Sequence, residues 1–302
     1  MCGVDLDLWP GRTLALVGET GCGKSTLGRR LLGLGPATAG TVSLDGQDPA
    51  RLERRERARR IQLIAQDARA SIDPRMTVGA ALAEPLRIHG WFGPGGRQQV
   101  ARLLDTVGLA PELAGRRAHK LSGGQSQRVA VARALAVGPA IVVLDEAVSA
   151  LDPTARAGVL ALLAGLQQAQ GLAYLFIAHD LAMVRQLAHD VAVMYSGRIV
   201  ETGPAGDVYQ RPAHPYTQAL LSATPDPDPR VERSRSRPAG AGEVADPAAP
   251  PSGCRFRTRC HKAEPRCAGE KPALVERGQG HPVACHFAEV AVSPRSGGHE
   301  EP

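Results

Sequence analysis

Gly18-Glu19-Thr20-Gly21-Cys22-Gly23-Lys24-Ser25-Thr26 is the stretch on which the reading of this chain turns. It fits the pattern G-x-x-x-x-G-K-[ST], a loop built to approach a polyphosphate. Its glycines let backbone N–H groups close on the charge without side-chain obstruction. The run from Thr13 to Val17 reads as a short buried strand ahead of it, and residues from Lys24 to about Leu34 read as a helix. That helix aims its N-terminal dipole at the same charge. Lys24 would reach the β and γ oxygens, and Ser25 would offer its hydroxyl to Mg²⁺. Cys22, inside the loop, reads as packing. The acidic half of such a site is a strand ending in Asp. Ile141-Val142-Val143-Leu144-Asp145-Glu146 supplies it. Four apolar residues bury the strand and deliver Asp145 to the sheet edge as an Mg²⁺ partner. Glu146 follows at once, placed to polarise an attacking water.

Working outward, further strands are expected at Ile61 to Ala65, Ala173 to Ile177 and Val191 to Tyr195. Thr41 to Asp45 alternates apolar and polar residues up to the turn signal Asp45-Gly46. Arg51 to Arg60 holds six Arg and two Glu, which reads as a solvated helix face. Helical signals dominate from Asp67 to Gly138. Ser196-Gly197 turns into Arg198 to Thr202, a hairpin. Strands and helices alternating around a helical insert argue a largely parallel sheet with helices on its faces. Residues 225–252 contain seven prolines and read as an extended linker.

The chain has 302 residues, 43% hydrophobic and 22% charged, as expected of a globular protein. Aromatic residues make up only 3%, so Ala, Leu and Val must fill the core. Of 36 basic residues only 4 are Lys, and the net charge is +6. That balance permits an anionic partner without requiring one. No apolar run approaches the ~18 residues of a membrane span. The first residues lack the basic-then-apolar order of a secretory signal.

Leu121-Ser122-Gly123-Gly124-Gln125, leading into Ser126-Gln127-Arg128-Val129-Ala130, resembles the signature motif of ATP-binding cassette (ABC) ATPases. Here too a helix N-terminus presents N–H and O–H donors to phosphate. The resemblance implies that Ser122, Gly123, Gly124 and Gln125 contact ATP bound by a second subunit, in a head-to-tail dimer closed around two ATP. Gln66 resembles the Q-loop residue that senses Mg²⁺ and water. Ser149-Ala150-Leu151-Asp152 resembles the D-loop, with Asp152 near the nucleotide, and His179 resembles the switch histidine of the γ-phosphate. The implied fold class is α/β, a P-loop NTPase with a RecA-like ABC ATPase core, an α-helical subdomain and a small Cys-rich C-terminal module. The core is expected in two parts, 1–68 and 141–203, around a helical subdomain at 69–140. A helical extension at 204–224, the Pro-rich linker at 225–252, the Cys-rich module at 253–287 and a flexible tail at 288–302 complete the chain.

Gln66 to Val78 and Arg211-Pro212-Ala213-His214-Pro215-Tyr216-Thr217-Gln218-Ala219-Leu220-Leu221 are similar to the dipeptide/oligopeptide (or nickel) importer subfamily. This implies a peripheral ATPase on the cytoplasmic face of the bacterial membrane. Its partners would be a second ATPase, a paralogue, with two transmembrane permeases and, indirectly, an extracytoplasmic peptide-binding protein; no nucleic acid is implied. Two other functions compete with it: a non-transport ABC ATPase, and a truncated, nucleotide-weak assembly subunit.

Cys254, Cys260, Cys267 and Cys285 are spaced C-x5-C-x6-C-x17-C. Four thiolates in a short cytoplasmic module suit a metal better than disulfides. The intervals are wider than those usual for zinc. Four Cys also suit a [4Fe–4S] cluster, which the resemblance favours, with no metal at all or zinc the alternatives. His261, His281 and His286 read as supporting or surface residues. The family stacks an aromatic ring on adenine, further ahead of the loop lysine than the 23 residues preceding Lys24. Trp9 is too close to serve, so the first strand and that ring are expected to be missing. Ala147 stands where the family has Pro, and Ser126 where it has Arg; neither removes a catalytic group.

Overall fold

The computed structural model describes residues 3–35, 38–223 and 249–289. The expected linker lies outside the described residues up to position 248, and so does the tail beyond Glu289. Two compact units form. One takes in Leu8–Thr13 and Ser25–Ile177, the other Met1–Asp7, Leu14–Lys24 and Ala178–Pro302, as far as these are described.

In the first unit β2 (Ile61–Ile64), β3 (Ile141–Asp145) and β4 (Ala173–Ala178) run parallel in that order. Ile61 pairs with Ile141, and Ile141 with Ala173. Every residue of β4 is buried. A near-continuous apolar run is what a parallel strand covered on both faces requires. Helix α1 (Lys24–Leu31) lies close to these strands because Gly28 has no side chain. A Cβ there would sit 3.0 Å from Ile177 Cδ1 and 3.2 Å from Val143 Cγ1. Helix α2 (Arg54–Arg60) buries none of its residues, as the charge run led one to expect. The insert before β3 packs α3 (Val78–Ile88), α4 (Gly96–Thr106) and α5 (Gly123–Leu135) against one another. Arginine staples it: Arg128 donates to Val107 O (2.7 Å) and Gly158 O (3.2 Å). Helix α6 (Pro153–Gln170) starts on the Asp152 cap and stops at Gly171, whose φ is 66°. Thr41 to Asp45 differs from its alternating pattern. Among the described residues it forms only a turn, with Asp45 at φ 50° and Gly46 at φ 81°, closed by mutual Leu44–Gln47 bonds. Alternation without a partner ladder leaves a strand no place to bond.

In the second unit β1 (Thr13–Val17) runs parallel to β5 (Asp190–Tyr195), and β5 turns back antiparallel into β6 (Arg198–Pro204). The turn places Ser196 at φ 43° and Gly197 at φ 79°, the left-handed pair that a two-residue hairpin needs. Short helices α7 (Leu181–Val184), α8 (Ala205–Gln210) and α9 (Pro215–Ala223) follow, and α10 (Pro265–Gly269) lies in the Cys-rich segment. That segment covers the free edge of β6: Ala284 N–H donates to Val200 O (2.7 Å) and Thr202 N–H to Pro282 O (3.1 Å). Beneath this contact the Glu201 carboxylate is wholly buried. It accepts from Ala213 N–H (2.8 Å), His214 N–H (3.1 Å) and His281 Nε2 (2.6 Å). Three donors offset the desolvation of one charge. His281 is therefore no surface residue. Gly203 makes room for it, since a Cβ there would come within 2.7 Å of His281 Cβ.

Candidate nucleotide site

The loop between β1 and α1 owes its shape to close approach. A Cβ on Gly18 would sit 2.1 Å from the Met194 carbonyl oxygen, so only glycine fits. Gly21 (φ 84°) and Gly23 (φ 110°) occupy backbone that side chains avoid. Nothing crowds the place of a Gly21 Cβ, so its backbone conformation and not close packing is what calls for glycine there. Lys24 is 4% exposed, and its Nζ donates to Gly18 O (2.7 Å) and Glu19 O (3.0 Å). A charged phosphate oxygen is a stronger acceptor than either carbonyl. Burial pushes the buried Cys22 thiol up, with the Lys24 charge pulling the other way, so Cys22 packs as a neutral group. Thr20 is exposed on the loop, and Thr26 on α1. Glu19 N–H donates to the Tyr216 hydroxyl oxygen (2.8 Å), and Arg259 grips the Glu19 carboxylate at 2.7 and 2.9 Å. His179 follows β4 directly and is exposed.

Ser25 lies across the unit boundary in the chain, one residue after Lys24. Its Oγ donates to Asp145 Oδ1 at 2.9 Å. A hydroxyl and a carboxylate held together offer the hard oxygen donors that suit Mg²⁺. Glu146 takes φ 50°, a left-handed conformation uncommon outside glycine. Its N–H donates to Ile177 O (3.0 Å), and its carbonyl accepts from Ser149 N–H (3.1 Å) and Ser149 Oγ (2.9 Å). The chain is thus turned sharply at the strand end, just where Glu146 leaves β3. Gln66 Nε2 lies 3.5 Å from Ser149 Oγ, so the Q-loop and D-loop candidates meet. Asp152 caps α6 through Ala155 N–H (2.9 Å). Ser122 and Gln125 form a reciprocal capping box on α5 (3.1 and 3.2 Å). Gly124 lets this N-terminus approach α6, since its Cβ would be 3.2 Å from Ala155 Cβ. Ala147 and Ser126, the two departures, are both 2% exposed.

The four cysteines of the expected metal module all lie among the described residues. Cys254, Cys260, Cys267 and Cys285 come near enough for their charges to interact. Yet among the described residues no group of three or more His, Cys, Asp or Glu is arranged to hold a metal ion. Burial above all, and then the neighbouring thiolates, push the Cys285 thiol up to about 11, and Cys254 and Cys260 are raised for the same first reason.

Sequence reasoning missed Glu201, Tyr216 as a partner of the loop, and Arg259, and named His281 only as a supporting or surface residue. Only the tail similarity around His214 and Tyr216 pointed toward them. Their partners are too distant in sequence for any local spacing to signal.

The family described as ABC transporter matches residues 1–149, and the one described as oligopeptide/dipeptide transporter, C-terminal region, matches residues 200–267. A putative oligopeptide transport ATP-binding protein, YkfD of Bacillus subtilis, is 46% identical over 94% of this chain and 88% of its own. The oligopeptide transport ATP-binding protein OppF of Salmonella typhimurium is 47% identical over 94% and 86%. A putative peptide import ATP-binding protein of Brucella ovis is 49% identical over 93% and 90%. Among solved structures, CbiO1 of Clostridium perfringens, part of the ABC transporter complex CbiONQ, superposes with a TM-score of 0.62 at 25% identity. It covers 68% of this chain and 82% of its own.

Proposed function

The chain belongs to the ABC transporter family of ATP-binding proteins, and we propose that it is the ATP-hydrolysing subunit powering import of dipeptides or oligopeptides across the bacterial cytoplasmic membrane. One observation carries the chemistry: the Ser25–Asp145 contact with Glu146 turned out of the strand immediately beyond it. Lys24 and the N–H groups of the loop from Gly18 to Thr26 bind the phosphates. Ser25 and Asp145, with Gln66, hold Mg²⁺, which offsets charge on the phosphate oxygens when bound. Glu146 takes the proton of the attacking water, and His179 donates to the γ-phosphate. Ser122, Gly123, Gly124, Gln125 and Asp152 serve ATP held by the other subunit of a head-to-tail pair.

The peptide substrate is supported by the relatives, which are named as oligopeptide transport or peptide import ATP-binding proteins, and the partners by the resemblance of the motifs to the importer subfamily. The partners are a second, paralogous ATPase, two permeases and, through them, an extracytoplasmic binding protein. Among the described residues no helix is long and apolar enough to cross a membrane. The peripheral place on the cytoplasmic face, with the channel supplied by the permeases, rests on the family resemblance.

The test is reconstitution with the permeases, the partner ATPase and the peptide-binding protein, following uptake of a labelled oligopeptide into proteoliposomes. Uptake should require Mg·ATP and fall with turnover in Glu146→Gln, by about 10²- to 10⁴-fold. ATP-independent uptake, or a Glu146→Gln chain that turns over normally, would refute the assignment.

A further inference from the structure

The phosphate-binding loop is gripped from outside by the Cys-rich segment. Arg259 makes two near-parallel contacts with the Glu19 carboxylate, at 2.7 and 2.9 Å. Their side chains are 12% and 27% exposed, so this pair is more sheltered than an ordinary surface ion pair. Paired, forked geometry is the strong form of such a contact and demands Arg rather than Lys. The same residue is tied a second time, its N–H donating to the Tyr216 hydroxyl oxygen. Glu19 in turn supplies one of the two carbonyls on which Lys24 rests.

The grip has a dedicated support. The chain contains only ten aromatic residues of Phe, Trp and Tyr type, and three of them gather here. The Tyr195, Tyr216 and Phe256 rings lie with centroids 4.7 to 5.4 Å apart, and the Arg259 guanidinium lies 5.9 Å from Tyr195 and 5.8 Å from Phe256. Arg255, from the same segment, donates to Ser196 O in the β5–β6 turn. That turn's Gly197 N–H donates to Cys22 O (2.8 Å) in the loop. Two independent routes therefore run from the segment to the loop.

We propose that Arg259 is a positioning residue for nucleotide binding: through Glu19 it fixes the entry of the phosphate-binding loop, and with it the place of Lys24, so that the Cys-rich segment sets the affinity for the nucleotide's phosphates. The inference rests on the loop being a nucleotide site, as argued above.

Calorimetric titration of Mg·ADP into the full-length chain tests it, because ADP fills the loop without being hydrolysed. Arg259→Ala should weaken binding about 5- to 20-fold, a coupling of the size found between contacting residues. The thermal midpoint without nucleotide should move little. Arg259→Lys should fall between, and Glu19→Gln should match Arg259→Ala, with the double change no worse than either. The exchange Glu19→Arg with Arg259→Glu should recover part of the affinity, which a merely structural role would not predict. If Arg259→Ala fails to fold, Arg259→Lys and Glu19→Gln carry the same comparison. A wild-type chain that bound no Mg·ADP would overturn the functional reading and this inference with it. A binding wild type whose Arg259 and Glu19 variants bind equally well, or whose losses simply add, would overturn this inference alone.

Discussion

At the scale of single residues, Gly18 is the most constrained position of the loop. Its missing Cβ would lie 2.1 Å from a backbone oxygen, Met194 O, which cannot rotate away as a side chain could. Gly18→Ala should therefore cost about 1–3 kcal/mol through forced displacement of β1 from β5, read from urea unfolding of the full chain. A change below ~0.5 kcal/mol, the range of an ordinary surface substitution, would mean that the strands separate freely there. Gly18, Lys24 and Ser25 were legible in the sequence because polyphosphate chemistry demands them at a fixed local spacing. Arg259 was not legible. It sits 240 positions from Glu19, and one Arg among many carries no signal of which carboxylate it will meet.

Elements were legible where their own residues end them. Helix α6 begins on Asp152-Pro153 and stops at Gly171, punctuation the sequence carries although no helix was expected there. Helix α5 begins at Ser122 with Gln125 answering it, a box visible as S-x-x-Q in the sequence. Ser122→Ala removes the acceptor for Gln125 N–H and should lower stability by about 1 kcal/mol. Hydrogen exchange should report it as earlier opening of the first turn of α5 alone. Unchanged exchange there would mean that packing against α6, and not the cap, holds the turn. The Thr41–Asp45 stretch makes the opposite point. Its alternation is a real pattern, but a strand is a relation between two segments, and the pattern says nothing of the second. The left-handed Glu146 was hidden for a related reason: its turn is held by Ile177 and Ser149, and nothing in Glu146 itself asks for it.

For the molecule as a whole, the sequence order of the motifs gave the α/β alternation, and the relatives agree with it. The docking of the Cys-rich segment onto β6 stayed illegible because buried polar groups bring it about. His214 offers a measurable consequence. Its Nδ1 accepts from Tyr216 N–H (3.0 Å), and its ring is bonded to the backbone of Ala284, so it is built into the core as a neutral imidazole. Burial pushes it down to about 4, against the opposing pull of the Glu201 carboxylate and the Ala284 bond. An unfolded histidine titrates near about 6.5. Between those values the unfolded chain takes up a proton that the native chain refuses, so stability rises with pH across this window. The contribution is whole above about pH 6.5 and is lost as pH falls toward 4. At ~1.4 kcal/mol per unit, going from pH 7.5 to pH 5 should cost the wild type about 2 kcal/mol from this one group. His214→Gln keeps an acceptor and a donor at the site but cannot take up the proton, so its unfolding free energy should fall less over the same interval. The difference between the two proteins isolates His214 from every other group that titrates. Equal losses in both would show that His214 is not the residue that makes this docking sensitive to acid.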